Sequence, residues 1–280
     1  MNKYPIYIIS KGRSDIAYTA NMFINEGVDF LIAVEPQEYE LYINHLPKKN
    51  VLKLPFSNLG KGSYPARNYC WEHSIKNGYK AHWLFDDNIR GFFRLHKGNR
   101  YRLAAKTAFQ YSEEFFNRYL NLEILGFNYR YLIAPEEKKP LFINGHVYSG
   151  MLIKNEIPYR WRLKYNEDVD LCLQVLTNGG CTVNLYTFLI DKISTASKLK
   201  GGNQDELYKG NDPNKKFEKA YTLKRMWPTI VEITKRYNRP HHYVNWGQFK
   251  HKLKRDPSVD WQKLEEKGNF KLTLKKTIKK

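Results

Sequence analysis

Residues 64–88 read YPARNYCWEHSIKNGYKAHWLFDDN, a helix-forming stretch followed by a short apolar run that ends in two acids. Pro65 suits the first turn of a helix, and Gly78 suits the position just past its end. Residues 81–85 predict a buried strand, because the run is short, apolar and bounded by turn-forming residues. A helix that leads into a strand with an acidic end is therefore the unit from which the fold can be inferred.

The residues before this unit repeat the alternation of strand and helix. Strands are predicted at 4–10, 29–35 and 50–55, where β-branched and aromatic residues are dense. Helices are predicted at 15–27, from the spacing of apolar side chains, and at 36–46, which opens with proline. This alternation predicts the α/β class, with a largely parallel sheet and helices on its faces.

Composition excludes several classes of protein. Of the 280 residues, 42% are hydrophobic and 15% aromatic, so the chain is globular and not disordered. No apolar run approaches the roughly 20 residues that cross a bilayer, and the N-terminus lacks the pattern of a signal peptide. The three widely spaced cysteines form neither a disulfide framework nor a zinc motif. We therefore expect a cytoplasmic protein.

The charge is concentrated in the last third of the chain. The formal net charge is +19, and residues 196–280 contribute +13 of it, with 22 Lys and Arg against 9 Asp and Glu. Such a field attracts nucleic acid or an anionic membrane surface, although a solvated basic surface explains it as well. We expect an α/β domain over 1–195 and a basic, mostly helical extension over 196–280, with part of it covering the site as a lid.

The acids at the strand end suggest a metal site. Ligands bind beyond the carboxyl ends of strands in open parallel sheets, and Asp86, Asp87 and Asn88 follow such an end. Adjacent carboxylates repel each other unless water or a cation separates them, and their oxygens suit Mg²⁺ or Mn²⁺. Such an ion neutralises the leaving group when a nucleotide-diphosphate donor reacts. The alternative is an ordinary Asp-Asp-Asn turn.

A second acidic motif lies at the start of a predicted helix. In LKYNEDVDLCLQVLTNGG (163–180), Asn166 is the expected N-cap and Glu167 and Asp168 stand in the first turn. Acids there stabilise the helix dipole, but either could also serve as general base toward a sugar acceptor. The loop at 144–146 either lines the acceptor pocket or is an ordinary turn.

Three stretches carry a family resemblance: IYIISKGR (6–13), GSYPARNYCWEHSIKNGYKAHWLFDDNI (62–89) and YSGMLIKNEIPYRWRLKYNEDVDLCLQVLTNGG (148–180). They resemble the nucleotide-contacting loop, the DxD motif and the xED motif of GT-A-fold glycosyltransferases. The whole chain resembles the TET-associated glycosyltransferases of phages, which glycosylate hydroxymethylated pyrimidines in DNA. This chain departs from a plain DxD, because neutral Asn88 stands where the main metal ligand often lies.

The resemblance implies a GT-A-like, Rossmann-type mixed or parallel sheet, with the donor half at about 1–90 and the acceptor half at about 91–195. It implies Mn²⁺ or Mg²⁺, a nucleotide-sugar donor such as a UDP-sugar carrying a hexose or pentose, double-stranded DNA as acceptor and, for a phage protein, the host cytoplasm. The implied donor-binding residues are Ser10, Lys11, Arg13, Glu35, Arg67, Asn68 and Asp86. The implied late metal ligand is His242, His241 or Asp191.

The C-terminal region interleaves basic and aromatic residues, as in YTLKRMWPTIVEITKRYNRPHHYVNWGQFKHKLKR (221–255). Basic side chains hold phosphates, aromatic rings stack on bases, and an enzyme acting on a base in a duplex must flip it out. The residues expected to bind DNA are Arg239, Trp246, Lys250, Lys252, Lys254 and Arg255. Alternatively, the side chains at 227, 230, 233 and 237 form one packed helix face.

Three functions are compatible with these patterns. The first is a DNA-modifying glycosyltransferase. The second is a glycosyltransferase acting on a surface or lipid-linked glycan, and the third is a Mg²⁺-dependent nuclease or a nucleic-acid-binding protein. A nuclease has no need of a sugar nucleotide, so a requirement for this donor distinguishes both glycosyltransferase functions from the third function.

Overall fold

The computed structural model describes residues 3–193, 199, 201–202, 213–236 and 238–266. Its centre is a ten-stranded sheet in the order β3-β2-β1-β4-β9-β7-β10-β5-β6, with β8 paired to β10 beside this path. The strands are β1 Ile6–Ile9, β2 Leu31–Val34, β3 Val51–Lys53, β4 Ala81–Asp86, β5 Ile89–His96, β6 Asn99–Leu103, β7 Leu122–Tyr129, β8 Leu141–Ile143, β9 Gly150–Lys154 and β10 Cys181–Lys192.

Helices cover this sheet. They are α1 Tyr18–Asn25, α2 Tyr39–Ile43, α3 Tyr64–Lys76, α4 Ala105–Phe116 and α5 Glu167–Thr177. Every strand and helix predicted before β4 is present, although a 3-10 turn precedes α1 and another precedes α2. The prediction of an α/β fold with a mixed sheet and flanking helices is confirmed.

The direction of the strands decides which of them end at the same edge. Strands β3, β2, β1 and β4 are parallel to one another. Strand β9 is antiparallel to both β4 and β7, so β7 runs in the same direction as β4. Strand β10 is parallel to β7. The carboxyl ends of β1, β2, β4, β7 and β10 therefore lie at one edge of the sheet.

Aromatic packing holds the centre of the sheet. Trp83 and Phe127 are fully buried and stacked, with ring centroids 5.2 Å apart, and Phe109 of α4 lies 5.1 Å from Trp83. Phe85 packs on the same cluster. Such rings contribute large buried areas and preferred geometries. This packing therefore fixes the position of β4 and of the residues at its carboxyl end.

The C-terminal region packs on α5. It contains α6 Pro213–Met226, a hairpin of β11 Val231–Arg236 and β12 Arg239–Val244, and the short helix α7 Trp261–Glu266. Leu223, Val231 and Val244 form a small core with Val169 and Leu173. No helix in the described ranges is both long and apolar enough to cross a membrane.

The hairpin was not predicted, and the proposed aromatic helix face is wrong. Trp227 and Ile230 follow α6 and pack on the small core, while Ile233 lies in β11. Position 237 lies outside the described residues. The proline at 228 and the β-branched residues that follow it favour a strand over a continued helix.

One buried hydrogen-bond network fastens the C-terminal region to α5. The Asp170 carboxylate is fully buried and accepts two hydrogen bonds of 3.0 Å from Arg162. It also accepts one of 2.8 Å from Gln174 and one of 2.8 Å from the indole of Trp227. Asp170 is thus a structural acid, in contrast to its neighbours at the start of the helix.

Candidate active site

A cavity of about 420 Å³ opens at the carboxyl ends of the strands. Its size falls within the range of small-molecule sites. Eleven of the predicted donor, catalytic and metal residues line it: Ser10, Lys11, Arg13, Glu35, Arg67, Asp86, Asp87, Asn88, Glu167, Asp168 and His242. The predicted residues Asn68, His241 and Asp191 do not line it.

Asp86, the last residue of β4, is held between two cations. Its Oδ1 accepts a hydrogen bond of 3.0 Å from Arg67 Nη2, and its Oδ2 accepts one of 2.7 Å from Lys192 Nζ. Burial raises the pKa of Asp86, but Lys192 and Arg67 outweigh burial and lower it to about 2. Asp86 is therefore ionised at neutral pH, with both oxygens engaged.

Lys192 was not predicted as a site residue. It ends β10, and its ammonium also contacts Ser149 Oγ at 2.7 Å and Tyr129 OH at 3.3 Å. Its side chain is only 13% exposed. Although burial lowers the pKa of Lys192, Asp86 and Tyr129 raise it above the ordinary value, so the amine stays protonated.

Asp87 points to a different set of partners. Its Oδ1 lies 2.5 Å from Arg13 Nη1, and its Oδ2 accepts a hydrogen bond of 2.6 Å from Ser10 Oγ. Arg13 and Asp87 are both buried. Burial raises the pKa of Asp87, opposed by Arg13 and Ser10. This pair fastens the loop after β1 to the end of β4, and both oxygens of the predicted metal ligand Asp87 are engaged by protein groups.

The remaining predicted ligands do not complete a metal site. Asn88 Nδ2 donates to the carbonyl oxygen of Ile193 at 2.8 Å, and the buried Asn88 Oδ1 has no hydrogen-bond partner among the described residues. Asp191 pairs with Arg90 and Arg130 outside the cavity. His241 Nδ1 lies 2.9 Å from the carbonyl oxygen of His242.

Mg²⁺ is usually held by one or two carboxylates together with water and substrate phosphates, whereas the carboxylates of Asp86 and Asp87 are paired with Lys192, Arg67 and Arg13. The described part of the chain contains no group of three or more His, Cys, Asp or Glu suited to a metal ion. The side chains at this strand end therefore do not fit the predicted divalent cation.

The second acidic motif divides into two roles. Asn166 takes a left-handed conformation (φ 55°) and makes no side-chain cap; instead its Nδ2 donates to the carbonyl oxygen of Lys219 at 2.6 Å. Glu167 accepts a hydrogen bond of 2.8 Å from Ser63 and lies 3.4 Å from Arg67 Nε. Burial raises the pKa of Glu167, opposed by Arg67. Glu167 therefore supports Arg67 and does not face the cavity as a free base.

Asp168 forms a pair with a histidine. Its Oδ2 lies 3.1 Å from His146 Nε2, and its Oδ1 accepts a hydrogen bond of 2.9 Å from the amide of Val169. Burial raises the pKa of Asp168, but His146 and Arg67 hold it well below its usual range. His242 lies nearby, with its pKa lowered to about 4 by burial and by the neighbouring His241 and His146.

His146 stands in the loop that the sequence left as either a pocket wall or a turn. Its ring packs edge-on against Tyr148, with centroids 4.6 Å apart, and is stacked with Trp246 at 6.0 Å. The predicted DNA-binding residue Trp246 is therefore half-buried against the site. Asn68 is structural as well, because its amide exchanges hydrogen bonds with the backbone of Trp161.

Gly201 and Gly202 pack on the loop that follows β1. The amide of Gly202 donates to the carbonyl oxygen of Lys11 at 2.7 Å, and Arg13 Nη2 donates to that of Gly201 at 3.1 Å. Gly201 has φ +76°, and a Cβ there would lie 2.2 Å from the oxygen of Gly12, so only glycine fits. Lys219 of α6 also lines the cavity. The rest of the expected lid, 203–212, lies outside the described residues.

Two of the predicted DNA-binding residues, Lys252 and Lys254, lie far from the cavity. Lys252 and Lys254 hydrogen-bond through their backbones to the Asn121 side chain, which precedes β7. Strand β7 then runs for about 23 Å to Tyr129 at the cavity. Arg255 follows this pair, whereas Lys250 lies between Phe249 and His251, whose carbonyl oxygens accept hydrogen bonds from Asn144 in the loop that carries His146. Trp246, stacked with His146, and Arg239, exposed on the hairpin that carries His242, lie on the cavity side of the molecule.

The fold and the cavity define an α/β protein whose polar site is built at the carboxyl ends of its strands. The chain belongs to the TET-associated glycosyltransferases, whose family model matches residues 4–202. Among solved structures it is similar to a "putative nucleotide-diphospho-sugar transferase" from Desulfovibrio desulfuricans G20. That likeness has 10% sequence identity and a TM-score of 0.35, and it covers 66% of this chain and 80% of the other. A comparison with curated proteins finds no match.

Proposed function

We propose that this protein transfers a sugar from a nucleotide-diphosphate sugar, such as a UDP-sugar, to the hydroxymethyl group of a modified pyrimidine in double-stranded phage DNA. Membership of the family supports the reaction class. One observation carries the proposal: a single cavity joins a cationic pair, Lys192 and Arg67, to an ionised carboxylate, Asp168. The first suits a diphosphate, and the second suits a hydroxyl that must lose its proton.

The donor occupies the side of the cavity formed by β1 and β2. Lys11 Nζ lies 3.1 Å from Glu35 Oε2, which places a cation and an acid at the ends of neighbouring strands. Ser10 and Arg13 shape the same wall through Asp87. In this proposal the nucleotide lies along this wall and its diphosphate points toward Arg67.

The acceptor approaches the side of the cavity formed by α5 and the 144–146 loop. In a single displacement, the hydroxymethyl oxygen attacks the anomeric carbon while the bond from that carbon to the diphosphate oxygen breaks. Asp168, which lines the cavity, takes the hydroxyl proton. His146, 3.1 Å from the carboxylate, is a positioning residue for it.

The hairpin β11–β12 is the surface that we assign to DNA. His242 of β12 lines the cavity, and its partner in β11 is Ile233. Three residue pairs further along, at the tip, the exposed side chains of Lys235, Arg236 and Arg239 form a basic cluster. A two-stranded ribbon fits a groove of B-DNA, and a base flipped from that groove would enter the cavity beside it.

The test is product analysis. The protein is incubated with a panel of sugar nucleotides and with DNA containing hydroxymethylcytosine, hydroxymethyluracil or only unmodified bases, and the digested nucleosides are weighed by mass spectrometry. We expect one hexose or pentose on the hydroxymethylated base alone. If a glycan or lipid-linked acceptor is labelled instead, the protein is a glycosyltransferase of surface or lipid-linked glycans. If DNA is cleaved without a sugar nucleotide, the protein is a nuclease.

A further inference from the structure

The cavity carries its own cations at the place where the sequence predicted a metal. Lys192 Nζ lies 2.7 Å from Asp86 Oδ2, and Arg67 Nη2 lies 3.0 Å from Asp86 Oδ1. The three charged groups belong to β10, β4 and α3, so the arrangement is set by the fold and not by one flexible loop. A divalent ion bound to Asp86 would lie beside two positive charges that already pair with this carboxylate.

The ammonium of Lys192 is held in position. Besides Asp86, it contacts Ser149 Oγ at 2.7 Å and Tyr129 OH at 3.3 Å, and it lies 5.4 Å from the centre of the Tyr129 ring. Its side chain is almost fully buried, but the residue still lines the cavity. A fixed charge of this kind needs little reorganisation when charge develops on a leaving group.

Arg67 has unused hydrogen-bonding capacity. Its Nε donates to Ser63 at 3.1 Å and its Nη2 to Asp86, while the guanidinium packs 4.8 Å over the ring of Trp161. Its Nη1 is buried and has no hydrogen-bond partner within the described ranges. A buried N–H without an acceptor is unfavourable, and because Arg67 lines the cavity, a bound anionic oxygen that reached Nη1 would supply one.

The balance of charged side chains around the cavity also favours an anionic ligand. Of the described residues that line it, six are lysine or arginine and five are aspartate or glutamate. A site for a divalent cation would be expected to carry an excess of negative charge. This cavity has a small positive excess, which suits an anion that arrives without a metal.

We propose that Lys192 and Arg67 bind the diphosphate of the donor and neutralise the departing nucleotide diphosphate, so that neither donor binding nor transfer needs a divalent cation. Asp86 acts as the carboxylate that orients both cations. This inference rests on the proposed function for the identity of the donor, but the binding of a diphosphate by Lys192 can be tested without it.

The experiment measures binding by calorimetry, with UDP, a UDP-sugar and inorganic pyrophosphate as probes, in EDTA and again with Mn²⁺ or Mg²⁺. We expect binding in EDTA, changed less than about threefold by either metal. Lys192→Met should weaken all three probes by about 10–100-fold, the range for removal of a charged hydrogen bond. Lys192→Arg should restore part of the affinity, and Lys263→Met, at an exposed site on α7, should match the parent.

A double variant guards against misfolding. Lys192→Met combined with Asp86→Asn removes both charges of the pair, so it should be destabilised less than Lys192→Met alone and still bind pyrophosphate weakly. Binding that disappears in EDTA and returns with Mn²⁺ would overturn the inference while leaving the proposed function in place. Parental affinity in Lys192→Met would overturn it as well. If pyrophosphate binds through Lys192 but no sugar nucleotide is bound or used, the metal-independent diphosphate site stands and the proposed function fails.

Discussion

Arg13 and Asp87 form a buried ion pair at the rim of the cavity, with Arg13 Nη1 2.5 Å from Asp87 Oδ1 and both residues at most 5% exposed. The pair joins the loop after β1 to the end of β4. Ser10 completes it through the second carboxylate oxygen. We therefore expect the ion pair to stabilise the fold, whereas the sequence predicted that Asp87 binds a metal.

Asp87→Ala should therefore destabilise the protein whether or not Mn²⁺ is present. Removing one partner of a buried pair typically costs about 3–5 kcal/mol, because the other charge is left uncompensated. The free energy of unfolding, measured in urea, checks this. Asp191→Ala is the matched control, since its partners Arg90 and Arg130 are largely exposed and the decrease should be below about 1 kcal/mol. Equal decreases in the two variants would contradict the prediction.

Asp168→Asn should abolish most of the transfer while keeping donor affinity. Loss of a general base typically lowers the rate by about 10²–10⁴-fold. The rate of sugar transfer to hydroxymethylated DNA and the donor Kd are measured side by side. Glu167→Gln is the comparison: Glu167 contacts Ser63 and Arg67, so we expect a weaker donor Kd and a rate within about tenfold at saturating donor. If the rate falls more in Glu167→Gln than in Asp168→Asn, Glu167 is the general base and Asp168 is not.

The acid stability of the protein should depend on Lys192. The pKa of Asp86 is lowered to about 2 from an ordinary value of 3.8, so its pairing stabilises the fold above about pH 4. This contribution, about 2 kcal/mol, is lost as the pH falls through the lowered pKa. Lys192→Met removes the larger of the two attractions. The difference in unfolding free energy between parent and variant should shrink from pH 5 to pH 2, and a constant difference would count against the assignment.

Two basic clusters can be compared for DNA binding. Charge reversal at Lys235, Arg236 and Arg239 on the hairpin should flatten the dependence of log affinity on log salt, by up to about 0.9 for each phosphate that is no longer neutralised. Charge reversal at Lys252, Lys254 and Arg255 should change it less, because Asn121, which hydrogen-bonds to the first two, lies at the other end of β7 from the cavity. Fluorescence anisotropy at several salt concentrations measures both slopes. The reverse ranking would place DNA along 252–255, as the sequence predicted.

Local patterns predicted the first half of the fold because its strands pair with near neighbours in the chain. The roles of Asp86 and Asp87 could not be separated from sequence, since adjacent residues at a strand end point in different directions. Lys192 was missed because its partner Asp86 lies 106 residues away. His146 was missed as a partner of Asp168 because a loop residue has no periodicity. The hairpin had a detectable signal in the alternation of Val231, Ile233 and their neighbours, which the aromatic residues obscured.

The hydrogen bond from Trp227 to Asp170 limits how this enzyme can be re-engineered. A graft of the C-terminal region from a relative, made at the predicted boundary at 195 to change acceptor choice, would have to bring an indole donor to the same buried carboxylate. Asp170 lies on the same helix as Asp168, so a mismatched graft would disturb the proposed base as well as the acceptor surface. Exchange of the hairpin tip alone, Lys235 to Arg239, leaves this junction intact and is the smaller unit in which specificity can be transplanted.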